Sequence, residues 1–389
     1  MKILYINHDN NINGSTIALR NIIQELCKKH EIRVVTPITY NMSNSELIQF
    51  FKNNKIKYYS FYYGLTIYPL YRKNIINWLI DFYRMLKNTI KARKEIRKII
   101  NEFEPDIVHT NNGPIDIAFN YCKKKNIPHI WHLREYSDIG LGLKIFPSIR
   151  YWRKKILSTG NYNIAITKGV YKYYNLRECD TVIYDGPINL KNGPTIHTEK
   201  DKYFLFVGSP SQDGKGFYDA LVAFNEIHND FPTYKLIGIG PFNINSSYGK
   251  KIIEYINTHN LHKKIELLGY RNDVCKWMEK ATALLVTSYF EGFGLTTAEA
   301  MYCNCLVIGR NTTGTKEQLD NGLIKTGEEI GYRFNTISEL SICMRKAINE
   351  DTTDIQIRAQ NVVKELYSST RSNELLERYY YKIKGTVIN

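Results

Sequence analysis

Short β-branched runs alternate with helix-length amphipathic segments along almost the whole chain, and that alternation is the strongest constraint on its fold. The first series is Lys2–Ile6, Ile32–Thr36, Asp106–Thr110, His129–Leu133, Asn163–Ile166 and Thr181–Ile183. Most of these runs are apolar at consecutive positions, the pattern of strands covered by helices on both faces of a parallel sheet. Helical periodicity fits between them, around Ser15–Lys29 and Ile75–Glu102. Such a series predicts an α/β, doubly wound sheet. The rhythm breaks between Asp185 and Lys202, where Gly186, Pro187, Gly193 and Pro194 fall without apolar periodicity. It resumes at Tyr203–Val207, Lys235–Ile239, Ile265–Leu268, Ala283–Thr287, Leu306–Ile308 and Tyr332–Phe334. A length of 389 residues fits two domains. The expected division is a first domain over 1–185, a linker over 186–202, a second domain over 203–365, and a terminal helix over 366–389 packing back on the first. Two parallel sheets joined in this way are expected to turn their strand carboxyl ends toward a central cleft, where ligands of open α/β sheets bind.

Charge is divided unevenly. Through Leu190 there are 29 Lys and Arg against 15 Asp and Glu, and after it 24 against 23. Nearly all of the net +15 therefore sits in the first half, which suits an anionic partner such as membrane lipid, a lipid diphosphate or nucleic acid. A solvated basic surface that aids solubility is the plainer alternative. The seven cysteines are scattered, with no CxxC pair and no Cys/His cluster of zinc spacing. A core of this size needs no disulfide, so a reducing cytoplasm is expected, with Cys303-Asn304-Cys305 as buried small-residue packing. The opening Met1–Ile6 run is too short for a signal peptide. No stretch of about 20 apolar residues is present, so any membrane contact is expected to be peripheral.

The most specific segment follows the Ala283–Thr287 run and reads Ser288-Tyr289-Phe290-Glu291-Gly292-Phe293-Gly294-Leu295-Thr296-Thr297-Ala298-Glu299-Ala300-Met301. Gly292 and Gly294 allow a tight turn and close ligand approach. A helix beginning at Leu295 would turn its free N–H groups toward an anion. Either glutamate alone reads as a dipole-balancing or surface acid. Together they have seven residues between them, two of them glycines. This segment resembles the large retaining family four of nucleotide-sugar glycosyltransferases, which have the GT-B fold of two Rossmann-like domains. The family shows a Glu, seven residues and a second Glu in a context like EGFGL…EAM. The strand Leu306-Val307-Ile308 and the following Thr312-Thr313-Gly314-Thr315-Lys316-Glu317-Gln318 match as well. The likeness spans essentially the whole chain and is strongest in the second half.

The resemblance implies roles for residues matching the family's motifs. Glu299 would bind the ribose of the donor nucleotide and Glu291 would lie near the donor sugar. Phe293, Gly294 and Leu295 would present backbone N–H groups to sugar and phosphates. Leu268-Gly269-Tyr270-Arg271-Asn272-Asp273-Val274 matches the segment beside the nucleobase, which makes Tyr270, Arg271 and Val274 candidates. Gly208-Ser209 and Lys215-Gly216 match the phosphate segment, except that Ser209 stands where the family usually has Arg. Lys215 can supply one positive charge to a diphosphate leaving group, and the departure at Ser209 leaves the second charge unassigned. In the first half, Gly14 of Asn13-Gly14-Ser15-Thr16 matches a turn that opens a helix, with Ser15 or Thr16 as cap. His132 of Ile130-Trp131-His132-Leu133-Arg134-Glu135 matches a histidine that contacts the donor sugar. As a lone histidine it also reads as a satisfied core residue. No Asp-x-Asp occurs, so no metal and no other cofactor is expected. The family's reaction is thought to run on one face of the sugar, the departing phosphate taking the acceptor proton, with catalytic candidates His132, Glu291 and Lys215.

The acceptor is expected to be lipid-linked or a glycan, with a hexose or N-acetylhexosamine transferred in surface polysaccharide assembly. Lys55–Lys98 interleaves basic and aromatic residues, and Arg150-Tyr151-Trp152-Arg153-Lys154-Lys155 is a second such patch. Both suit an anionic membrane surface, and the same composition suits single-stranded nucleic acid. In the plainer reading the long helix buries Leu79, Leu86, Ile90, Ile96 and Ile100 behind a charged face. A non-catalytic binding protein of the same fold, a nucleotide-sugar epimerase and a phosphorylase are the competing functions. No nucleic-acid motif is present, and no nucleic-acid partner is expected.

Overall fold

In a computed structural model the described residues are 1–11, 13–39, 45–69, 74–142, 144–188 and 199–385. They form two compact units, one of 1–186 with 369–389 and one of 187–368. Most of the expected linker falls on 189–198, outside the described residues.

The first unit holds strands β1 (Lys2–Asn7), β2 (Glu31–Pro37), β3 (Lys57–Phe61), β4 (Ile107–Asn111), β5 (His129–Leu133), β6 (Asn161–Ala165) and β7 (Thr181–Val182). They form one parallel sheet in the order β3-β2-β1-β4-β5-β6-β7. Its helices are α1 (Gly14–Leu26), α2 (Glu46–Asn53), α3 (Ile75–Phe103), α4 (Phe119–Lys125), α5 (Asp138–Leu141), α6 (Ile149–Ile156) and α7 (Lys168–Tyr174). β3 was not anticipated from the sequence. Lys57-Tyr58-Tyr59-Ser60-Phe61 pairs only with β2 and is nowhere fully buried, so it lacks the continuous apolar run of an inner strand.

The second unit holds β8 (Asp201–Val207), β9 (Lys235–Ile239), β10 (Ile265–Leu267), β11 (Ala281–Val286), β12 (Leu306–Arg310) and β13 (Tyr332–Phe334), in the order β10-β9-β8-β11-β12-β13. Around this sheet lie α8 (Phe217–Asn225), α9 (Ser247–Thr258), α10 (Val274–Lys280), α11 (Leu295–Tyr302), α12 (Thr313–Thr326), α13 (Ile337–Asn349) and α14 (Thr353–Leu366). The last helix, α15 (Ser369–Lys384), belongs to the first unit. It buries Leu376, Tyr379 and Tyr380 with Ile3, Tyr5 and Ile164. In each sheet the strand order reverses once, between β1 and β4 and between β8 and β11. Crevices at such reversals are where open α/β sheets hold ligands.

α3 divides along its length. Its second half buries Ala92, Ile96, Ile99, Ile100 and Phe103 against the sheet, whereas Leu79 is 52% exposed and Ile90 56% exposed. The expectation that both turn inward is therefore corrected: neither lies over the sheet. Several of the aromatics in this stretch are half-buried against one another rather than free on the surface. Trp78 and Phe82 stack at 5.4 Å, Tyr68 stacks on Phe82 at 5.8 Å, and Phe146 meets Phe82 edge-on at 5.2 Å. The basic patch at 150–155 is likewise partly internal. Arg153 donates to the Tyr173 carbonyl and Lys155 is buried against Asp116, leaving Arg150 and Lys154 exposed. Tyr71, Arg72 and Lys73 lie outside the described residues.

Candidate functional site

In the second unit the candidate residues gather at the β8/β11 reversal. β8 ends at Val207, and the chain returns through Lys215 and Gly216 to start α8. Gly216 has φ +69°, and a Cβ there would lie 2.3 Å from the Thr287 carbonyl oxygen, so only glycine lets the two strand ends touch. The Thr287 hydroxyl donates to the Lys215 carbonyl at 3.0 Å, and the Tyr289 N–H donates to the Gly214 carbonyl at 3.1 Å. Lys215 is thereby held against the segment that follows β11. Its Nζ lies 2.8 Å from Glu291 Oε1.

The Glu291–Gly294 turn is clamped by the start of α12. Glu291 N–H donates to the Thr313 hydroxyl at 2.9 Å and Gly314 N–H donates to the Glu291 carbonyl at 3.0 Å. Gln318 Nε2 donates to the Phe293 and Gly294 carbonyls at 2.6 and 2.9 Å. Gly294 has φ +89° and begins α11 with no side-chain cap, and α8 likewise begins at Gly216 with no side-chain cap. α11 thus starts with free N–H groups at a strand end, an arrangement that favours an anion, whereas in the first turn of α8 the Tyr218 N–H already donates to the Tyr248 hydroxyl at 3.3 Å.

Glu299 lies one turn into α11, half-buried, and its carboxylate has no hydrogen-bond or ion-pair partner among the described residues. Burial pushes this carboxyl up to about 6. A desolvated, unpartnered acid gains most from ligand hydroxyls that donate to it.

The remaining candidates of this unit are more open. Tyr270 is 67% exposed. Arg271 grips Asp273 through Nε and Nη2 at 2.9 and 2.8 Å, and Val274 begins α10. Gly208 follows β8, and its N–H donates to the Ile239 carbonyl at 2.9 Å. Ser209 donates to the Pro241 carbonyl at 2.8 Å and carries no charge. Sequence reasoning missed Arg310, at the end of β12. Its Nε donates to the Thr287 carbonyl at 3.0 Å and its guanidinium lies 4.7 Å from the Tyr289 ring centre. Arg310 also pairs with Asp219. A lysine and an arginine therefore flank the same strand end. The signal was Arg310's position at a strand terminus, the same criterion that selected the other candidates.

In the first unit Gly14 is the first residue of α1, at the end of β1. The cap is Asn13, not the expected Ser15 or Thr16. Its side chain accepts from Thr16 N–H at 3.1 Å, and Thr16 Oγ1 accepts from Asn13 N–H at 2.8 Å. This reciprocal box uses Thr16 at the third helical position rather than as cap.

His132 is buried at the end of β5. Its Nδ1 lies 3.4 Å from Arg134 Nη2 and 3.2 Å from His109 Nε2. Arginine can only donate, so His132 Nδ1 accepts and Nε2 carries the proton. The rest of the chain agrees with this assignment: His109 Nδ1 is 2.6 Å from the Tyr380 hydroxyl, which is 2.7 Å from that of Tyr5. Burial, then the Arg134 charge, then His109 hold the His132 imidazole well below its usual range, so the ring is neutral. His132 Nε2 is buried with no hydrogen-bond partner among the described residues. Arg134 also donates to Asn111 at 3.0 Å and pairs with Asp185, both ions being buried. The sequence marks Asp185 only as the last residue before the linker.

The expectation of free cysteines throughout is corrected: Cys275 and Cys303 form a disulfide. α10 packs beside α11, bringing their Cα atoms to 6.2 Å across 28 residues of sequence, a proximity that no spacing rule encodes. Cys305 is buried and free. Among the described residues no group of His, Cys, Asp or Glu is placed to hold a metal ion. None of their helices is long and apolar enough to cross a membrane.

Residues 12–186 match the family described as Glycosyltransferase Family 4, and residues 191–339 match that described as Glycosyl transferases group 1. An uncharacterized glycosyltransferase of Methanocaldococcus jannaschii is 29% identical over 318 residues, covering 80% of this chain and 79% of its own. An N-acetylgalactosaminyltransferase of Campylobacter jejuni, named for a diphospho-undecaprenol substrate, is 30% identical over 109 residues, 28% of each chain. Among solved structures, HepE from Anabaena in complex with UDP superposes with a TM-score of 0.76 at 15% identity, over 98% of this chain and 100% of that one.

Proposed function

This chain is a family-four-like glycosyltransferase of the GT-B fold, and from that premise we propose a retaining enzyme that moves a hexose or N-acetylhexosamine from a nucleotide-diphosphate sugar to a lipid-linked or glycan acceptor in surface polysaccharide assembly. The observation that carries this reading is the convergence of Lys215, Glu291 and the uncapped start of α11 at one strand reversal, with the unpartnered Glu299 a turn away.

The donor diphosphate takes its charge compensation from Lys215 and from the N–H groups at the start of α11, around Phe293, Gly294 and Leu295. Glu299 accepts from the ribose hydroxyls. Glu291, which holds Lys215 at 2.8 Å, is near enough to accept from a sugar hydroxyl as the lysine turns to phosphate. Tyr270, Arg271 and Val274 border the base. In the first unit, neutral His132 offers its unpartnered Nε2–H as a donor for a sugar hydroxyl, and Gly14 opens α1. The bond from the anomeric carbon to the diphosphate breaks, and the acceptor oxygen bonds that carbon on the same face. The acceptor proton passes to the departing phosphate oxygen. Metal is not required, because protein charge and helix ends do this work.

The acceptor reading draws on the Campylobacter relative, named for a lipid diphosphate substrate. It draws as well on the exposed Arg84, Lys87, Lys91 and Lys94 of α3, which suit peripheral contact with the anionic inner face of a membrane from the cytoplasm. The test is a thermal-shift screen of nucleotide diphosphates and nucleotide sugars, followed by calorimetry on any that stabilise the protein. A ligand present at 100 times its Kd stabilises by about 2.7 kcal/mol. Release of free sugar or its transfer excludes a non-catalytic binding protein. Absence of any nucleotide-dependent shift overturns the reading.

A further inference from the structure

The first unit contains a cavity of about 440 Å³ beside the first half of α3, separate from the His132 network. Its polar end is an ion cluster. Asp116 accepts from Arg93 Nη2 at 3.1 and 3.0 Å and from Lys155 Nζ at 2.5 Å. The Lys155 and Asp116 side chains are 8% and 4% exposed. Burial would raise the Asp116 carboxyl, but Lys155 and then Arg93 hold it below its usual range, so the cluster sets two positive charges against one negative. Arg93 Nε is buried with no hydrogen-bond partner among the described residues. Unmatched positive charge and a spare donor are costly to desolvate until an anion completes them.

The other walls are mostly apolar, with Leu86, Ile90 and Phe146 beside Thr66, Thr89 and Asn120. Ile90 continues an exposed stripe on α3. At 100° per residue Ile76, Leu79, Ile80, Tyr83 and Ile90 share one face, and all five are exposed, with the exposed Lys87 between Tyr83 and Ile90. At 1.5 Å per residue the stripe is about 21 Å long. A nucleotide or soluble glycan could satisfy the cationic cluster but would leave the stripe bare. A molecule with an anionic head and a long hydrocarbon chain satisfies both.

We propose that this cavity seats the phosphate head of a polyisoprenyl phosphate lipid, with the exposed stripe of α3 lying among hydrocarbon chains. The proposal deepens the lipid-linked reading above and rests on it.

The test uses the full-length protein and three kinds of vesicle: phosphatidylcholine alone, phosphatidylcholine with a polyisoprenyl phosphate, and phosphatidylcholine with phosphatidylglycerol at matched charge. Inorganic pyrophosphate in solution is the fourth arm. Binding at least tenfold tighter to the polyisoprenyl phosphate vesicles than to the charge-matched ones is expected. Two variants at partly exposed positions, Arg93→Gln and Ile90→Glu, should each reduce that preference to threefold or less, while UDP still raises the melting temperature as in the parent. Equal binding to the two charged vesicles overturns the proposal, as does a preference unchanged in both variants. Competition by pyrophosphate as strong as by the lipid identifies a free-phosphate site instead, which also overturns it. A parent protein that ignores nucleotide fails the glycosyltransferase reading, whereas one that binds nucleotide without the lipid preference fails this inference alone.

Discussion

Lys215 Nζ and Glu291 Oε1, 76 residues apart in sequence, lie 2.8 Å from each other. The pair joins the phosphate segment after β8 to the turn after β11. Under the proposed function, Lys215 would exchange one anionic partner for another when a diphosphate arrives. Lys215→Ala should lower kcat by about 10²–10³-fold, the usual effect of losing one donor to a developing charge. Turnover at saturating donor and acceptor measures it. A loss below about tenfold, or 1.4 kcal/mol, would shift the load to another cation, with Arg310 the first to examine.

Glu299 gives a pH dependence with a definite sign. Burial raises its carboxyl to about 6 in the free protein. Ribose hydroxyls donate to the ionised form, so nucleotide affinity should be full above about 6 and fall as pH drops below it. Calorimetry between pH 5 and pH 8, with Glu299→Gln alongside, tests this. The variant should bind more weakly and lose that pH dependence. An unchanged dissociation constant in Glu299→Ala would remove the residue from the site.

Buried neutral histidines predict acid instability of the first unit. Burial lowers His129 from 6.5 to about 3 and His8 to about 4, and holds His109 and His132 well below their usual value. The unfolded chain takes up these protons below about 6.5 and the folded one does not. Each histidine should thus cost about 1.4 kcal/mol per pH unit as pH falls from 6.5 toward its folded value. Urea midpoints that stay level between pH 6.5 and pH 5 would contradict this. Asp185→Ala, which strands Arg134 as a buried charge, should destabilise the unit by about 3–5 kcal/mol at neutral pH.

Activity should survive a chelator. Charge compensation is assigned to Lys215 and helix N–H groups, so EDTA should leave turnover within about twofold, far less than the ~10²-fold effect of a lost charge-stabilising group. Complete loss restored by a divalent cation would refute the assignment.

Replacing the exposed Arg84, Lys87 and Lys91 of α3 with Ala should weaken binding to anionic vesicles by about 1 kcal/mol per residue at low salt. Donor binding should not change. Arg153 and Lys155 are poor choices for this test, because one holds the Tyr173 carbonyl and the other a buried carboxylate.

The sequence by itself determined the two parallel sheets, almost every strand and the glycine-flanked glutamate pair, because each is written in local periodicity or in residues a few positions apart. His129–Leu133, Lys235–Ile239 and Tyr332–Phe334 were read to the residue. β3 escaped, since an edge strand exposed on its outer side needs no apolar run. Only the tertiary structure decided that Lys215 faces Glu291, that Arg134 sets the tautomer of His132 while neutralising Asp185, and that Cys275 meets Cys303. It also decided that Ile76, Leu79, Ile80, Tyr83 and Ile90 of α3 face outward. Periodicity tells a helix which of its faces is apolar, but what covers that face depends on elements brought together from elsewhere in the chain.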